Sequence, residues 1–146
     1  MSYTCLLTHA VFSTKDRRPF LKDTALRSDL HSYLGGIVRN LKGKAYAIGG
    51  VEDHVHLLIS LPATIATADA LRTIKTNSSS WAKSHVNGFA WQQKYGAFSV
   101  SQSGVPRVVR YIQAQEAHHQ KQTFEEELRE LLEKHSIDYD PRYLWT

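Results

Sequence analysis

A chain of 146 residues, 42% hydrophobic and 22% charged, is long enough to bury roughly 70% of the surface its unfolded form exposes, so it can fold as one domain without covalent staples. Its single cysteine, Cys5, excludes an internal disulfide and a multi-cysteine zinc site, and no segment reaches the ~20 apolar residues that cross a bilayer. The formal charge of +4 is compatible with a polyanionic partner without establishing one, and a start, MSYTCLLTHAVFSTKDRR, with no basic stretch ahead of its apolar part does not read as a signal peptide, which makes the expected location cytoplasmic.

Residues 2–14, SYTCLLTHAVFST, are rich in β-branched, aromatic and apolar side chains and read as a first strand. A basic loop, KDRRPF, follows. From Asp23, a plausible N-cap, Leu26, Leu30, Leu34, Ile37, Val38 and Leu41 recur at three- and four-residue spacing up to Gly43, which predicts an amphipathic helix. A second strand is expected over 44–49, a turn at Gly49 and Gly50, and a third strand in VEDHVHLLISLP, residues 51–62. A second helix fits 67–85, with Ala68, Leu71, Ile74, Ser78 and Trp81 on one face, and a fourth strand fits 95–101. Pro106 suits the first turn of a third helix, and Thr123 with Glu126 forms a capping-box pattern that opens a fourth helix over 124–135. The tail, IDYDPRYLWT, is aromatic enough to dock on a surface. Strand, helix, strand, strand, helix, strand is the ferredoxin-like order. The expectation is therefore an α+β fold: a four-stranded antiparallel sheet (βαββαβ) with two helices on one face and two additional C-terminal helices.

In the third strand, alternation separates Val55, Leu57, Ile59 and Leu61 from His54, His56, Leu58 and Ser60. The first set suits packing under the helices, which leaves two imidazoles side by side on the other face. Two neutral imidazoles can share one divalent cation and leave positions open for a third ligand and a substrate oxygen. A polar strand end would show the same two histidines, so the metal reading needs a third ligand. The third helix, RVVRYIQAQEAHH over 107–119, offers one. Tyr111 and Gln115 are four apart and share a helical face. A tyrosine that attacks phosphorus needs a cation beside its oxygen, and an amide oxygen one turn away completes a metal site without adding negative charge. Packing between helices is the alternative for Tyr111. His118 and His119 lie either near such a site or on a polar helix face. Glu52 and Asp53 are either acceptors that orient the histidines or a solvated strand end.

Together, HVH, YIQAQ and the surrounding WQQKYGAFSVS, QEAHHQKQTFEEEL and DPRYLW resemble the single-tyrosine HUH transposases of bacterial insertion sequences, to which the REP-associated tyrosine transposases are related. The resemblance runs nearly from end to end and implies one domain over 1–146, with the nucleophile on the C-terminal helices at about 105–135. It makes Tyr111 the nucleophile, His54 and His56 metal ligands and Gln115 the third ligand, with magnesium or manganese as the cation. It also implies a DNA transposase that cleaves and rejoins single-stranded DNA with hairpin ends through a 5'-phosphotyrosine. A homodimer is implied too, in which the tyrosine-bearing helix usually docks on the partner, so that which subunit supplies Tyr111 and Gln115 to His54 and His56 stays open.

Single-strand recognition calls for basic grooves. The candidates are Lys15, Arg17 and Arg18 after the first strand, Lys75 and Lys83 on the second helix, and Arg107 and Arg110 beside the tyrosine. For each taken alone, a solvated surface charge is the commoner reading. Trp81 and Trp91 suit core or interface better than base stacking. The competing class is a ferredoxin-like module, domesticated or never catalytic, that holds nucleic acid without cutting it. Such a binder has no need of His54, His56, Tyr111 and Gln115 together.

Overall fold

The computed structural model describes residues 2–144, without the side chain of Tyr143. Strands β1 (Leu7–Ser13), β2 (Lys44–Gly50), β3 (His54–Ser60) and β4 (Gly96–Val100) form one antiparallel sheet in the order β2-β3-β1-β4. Helix α1 (Thr24–Asn40) connects β1 to β2, and α2 (Thr67–Lys83) connects β3 to β4. Each connection skips one strand, which interlocks the two halves and gives the expected ferredoxin-like fold. Three helices follow β4: α3 (Val105–Gln113), α4 (Gln115–His118) and α5 (Phe124–Lys134).

The main core lies between the sheet and the first two helices. Ala10 and Phe12 of β1 and Val55, Leu57 and Ile59 of β3 pack with Leu30, Leu34 and Val38 of α1 and Leu71 and Ile74 of α2. Asp23 starts α1 as read from the sequence: its carboxylate accepts from the amides of Ala25 (2.9 Å) and Leu26 (3.2 Å). The reverse face of the sheet is covered as well. There Val11 and Phe98 meet Phe124, Leu131 and Leu132 of α5 in a smaller cluster, joined by Tyr139 and Leu144 of the tail. Trp145, also assigned to that tail, lies outside the described residues. Thr123 caps α5 by accepting from the amide of Glu126 at 3.2 Å.

Two local expectations are corrected. Gly49 and Gly50 do not turn the chain: β2 runs through both, and the turn falls at 51–53. Gly49 serves a close approach instead, because a Cβ there would stand 2.6 Å from the carbonyl oxygen of Ile112. Its missing side chain lets α3 lie directly on β2. The helix predicted over 107–119 is also broken at Ala114 (φ −93°, ψ 12°). Residues 113–116, Gln-Ala-Gln-Glu, are good helix formers, so the break comes from packing, which turns Gln115 into the protein.

Candidate active site

His54 and His56 lie on the face of β3 turned away from α1 and α2, and both are fully buried. Each has its Nδ1 committed outward: that of His54 is 2.7 Å from Asp53 Oδ1, and that of His56 is 2.8 Å from His9 Nε2. With Nδ1 tied, each ring is held with Nε2 facing inward, the arrangement in which partners orient metal-ligating imidazoles.

What they face is a carboxylate from α5. Glu127 Oε1 lies 2.9 Å from His56 Nε2, 2.9 Å from His119 Nε2 and 3.3 Å from His54 Nε2. Its Oε2 accepts from the amide of Gln115 at 2.9 Å and from the hydroxyl of Tyr111. The Gln115 carbonyl oxygen lies 3.1 Å from His54 Nε2. The four residues expected at the site thus meet within one chain, and exchange between subunits is not needed to bring them together. Four donor atoms, one each from His54, His56, His119 and Glu127, lie within 4.8 Å of one another, a cluster that can hold a metal ion. This donor set fits a dication: imidazole nitrogens and one charged oxygen, converging and already shielded from water.

Burial acts against charge on every group here, and the partners decide the outcome. At His56 burial prevails over the neighbouring carboxylate and lowers the pKa from 6.5 to about 4. His9 is lowered to about 3 by burial and then by His56. At His54 burial is the largest single influence, but Asp53 and Glu127 together outweigh it and raise the pKa to about 9. Burial would also favour a protonated Glu127, yet hydrogen bonds from His119, His54 and His56 hold it well below the usual carboxylate range. Burial, followed by the Glu127 carboxylate, pushes the Tyr111 phenol above its ordinary value. At neutral pH the metal-free centre is therefore an ion pair of His54 imidazolium and Glu127 carboxylate, with a neutral tyrosine bonded to the latter.

Glu127 and His9 were not singled out from the sequence, although each left a trace there. Phe124, Glu127, Leu128, Leu131 and Leu132 share one helical stripe, and a carboxylate in an apolar stripe calls for partners. His9 shares a face with Val11, and Val11 pairs with His56 across the sheet.

The basic candidates separate into different settings. Arg107 lines a cleft of about 670 Å³ beside Tyr111, together with His9, His118, Lys134 and His135. Arg17 lines a second groove, with Asp53, His119 and Lys121, and pairs with Glu125 at 3.2 Å. Lys15, Arg18, Lys83 and Arg110 are exposed. Lys75 is committed elsewhere, because its ammonium donates to the carbonyls of Gln92, Gln93 and Lys94 and so holds the segment before β4. Trp91 is core, its indole N–H bonded to Ser78 at 3.0 Å, and Trp81 stacks on Tyr33.

A sheet of this topology, with paired histidines on the face that α3, α4 and α5 cover and a tyrosine of α3 beside them, defines the candidate site. Residues 2–115 match the family "Transposase IS200 like", and the chain belongs to that family. Among solved structures, a candidate transposase from Deinococcus radiodurans R1 is similar at a TM-score of 0.62 and 24% identity, over 78% of this chain and 93% of that one. A REP-associated tyrosine transposase bound to a REP hairpin is similar at 0.62 and 17% identity, over 82% of this chain and 72% of that one. At these identities the likeness carries the fold. No curated protein matches the chain by sequence. Among the described residues, no helix is long and apolar enough to cross a membrane.

Proposed function

We propose that this protein cleaves and rejoins single-stranded DNA with hairpin ends by transesterification at Tyr111, with His54, His56 and Gln115 holding a divalent cation. One observation carries the reading: the Tyr111 hydroxyl, the inward Nε2 atoms of His54 and His56, and the Gln115 amide converge on a single buried carboxylate. Family membership supports it, as does the hairpin held by the REP-associated relative.

Tyr111 Oη attacks the phosphorus, the bond to the 3' oxygen breaks, and the 5' phosphate stays on the tyrosine while a 3'-hydroxyl is released. The bond energy is retained in the phosphotyrosine, so rejoining needs no nucleotide cofactor. The hydroxyl already donates to Glu127 Oε2, which aims its oxygen and offers the proton an acceptor. Arg107, on the wall of the same cleft, supplies positive charge for the backbone of the strand. A bound dication supplies Lewis acidity toward the phosphoryl oxygens and favours the phenolate. Asp53 and His9 hold the two imidazoles in register. One chain brings all these groups together, which supports assembly of each site within one subunit of a homodimer.

The test is covalent capture. With labelled hairpin DNA from the flanks of its own gene and manganese, the wild-type protein gives a denaturation-resistant adduct, and Tyr111→Phe lowers its yield by at least about 1000-fold. An adduct that persists in Tyr111→Phe overturns the nucleophile. Hairpin binding with no adduct from the wild type would favour the non-cutting nucleic-acid module.

A further inference from the structure

Residues 2–115 carry the family match, and His119 and Glu127 lie beyond it. Both nevertheless reach the centre of the site. Glu127 is 1% exposed and sits on α5, which Phe124, Leu131 and Leu132 clamp to the sheet. Its Oε1 occupies the point on which three imidazole Nε2 atoms converge. A carboxylate buried to this degree is stable only when compensated by positive charge, which a dication held among these donors would supply.

Resting on the cation site proposed above, we infer that Glu127 and His119 join His54, His56 and Gln115 as ligands, so that the centre offers three imidazoles and one carboxylate beside the amide oxygen and selects a first-row transition-metal dication over magnesium. The argument is one of donor chemistry and distance. Ligands of one ion at about 2.1 Å lie within roughly 4.2 Å of each other, and these four donors already lie within 4.8 Å. The widest pair would close by roughly 0.6 Å for ligands on opposite sides of the ion. Magnesium prefers oxygen ligands and keeps its waters, whereas imidazole suits iron, nickel, copper and zinc, with manganese the weakest binder of that first-row series. A dication with one carboxylate keeps a net charge of +1, which still attracts a phosphodiester. Because Glu127 Oε2 meets Tyr111 and Gln115, one carboxylate ties the nucleophile to the cation site through α5.

The experiment titrates metal-freed, full-length protein with manganese(II) and separately with magnesium(II), following heat release and the manganese paramagnetic resonance signal, without DNA. The wild type binds manganese at least 100-fold more tightly than magnesium, and its resonance shows couplings to three imidazole nitrogens. Glu127→Gln, nearly the same shape, weakens manganese binding at least tenfold, and His119→Ala removes one nitrogen coupling. Manganese binding that is unchanged or tighter in Glu127→Gln, or only two nitrogens in the wild type, overturns the inference while leaving His54 and His56 as ligands. The nitrogen count needs no variant, so misfolding cannot blur it. A wild type that binds no manganese overturns the cation site itself, a result separate from the adduct test of Tyr111.

Discussion

Val55, Leu57 and Ile59 on one face of β3 and His54, His56 and Leu58 on the other come from six consecutive residues, and all six are buried. The first face meets α1 and α2 through apolar side chains alone. The second meets α3, α4 and α5 through a network in which every imidazole nitrogen of His54 and His56 has a partner. Burial is common to both faces, but its consequence is not. On the apolar face, stability depends on filled volume. On the polar face it depends on the charge state of a few groups, because an unpaired buried charge costs more than a cavity.

The sharpest way to break this comparison is to remove volume from the apolar face. Leu57 is completely buried, and Leu57→Ala should cost about 2–5 kcal/mol in urea denaturation. The adduct yield per folded molecule should stay as in the wild type, since Leu57 points away from the site. A loss below about 1 kcal/mol would mean that this face is not where stability resides.

The two faces also differed in how far they could be read beforehand. The apolar face was legible because burial against helices leaves period-two and three-to-four spacing in Val55, Leu57, Ile59 and in Leu30, Leu34, Val38. His54, His56, Tyr111 and Gln115 were legible as residue types whose chemistry fits together. Glu127 was not, because its meaning lies in distant partners: three of its contacts, His54, His56 and Tyr111, are on other elements. The neighbouring Glu126 carries a recognisable helix-cap pattern, whereas the carboxylate that falls in the apolar stripe belongs to no local motif. Gly49 shows the same limit: a Gly-Gly pair signals a turn locally, whereas here its function is set by the carbonyl of Ile112 pressed against it. The break at Ala114 leaves no local trace at all, since good helix formers surround it.

A second way to sharpen the comparison is pH. His54 has a folded pKa raised to about 9 from 6.5, so its contribution to stability is complete below pH 6.5 and is lost as pH rises through 9. His56 and His9 have folded pKa values lowered to about 4 and about 3, so their contributions are complete above pH 6.5 and are lost as pH falls toward those values. Melting temperatures of metal-free protein should therefore peak near pH 6.5 and decline on both sides. Asp53→Asn removes a carboxylate that holds the His54 charge, and should flatten the alkaline arm while leaving the acid arm in place. A profile that keeps its alkaline arm in Asp53→Asn would assign that arm to another group.

The smallest effect tests how α5 is held over the polar face. Thr123 caps its first turn, and Thr123→Ala should cost about 1 kcal/mol in the same denaturation assay. The position of Glu127, however, depends on more than the cap. Phe124 lies one turn before it and Leu131 one turn after, and both are buried against Val11 and Phe98 of the sheet. Those contacts keep α5 in register when its first turn frays, so adduct yield per folded molecule should change by less than about twofold, as expected when fraying is confined to a helix end. If Thr123→Ala instead cut adduct yield well beyond its loss of stability, the cap and not the apolar cluster would be placing Glu127. The polar face would then draw its geometry from hydrogen bonds alone, and the division between a face that stabilises and a face that reacts would be complete.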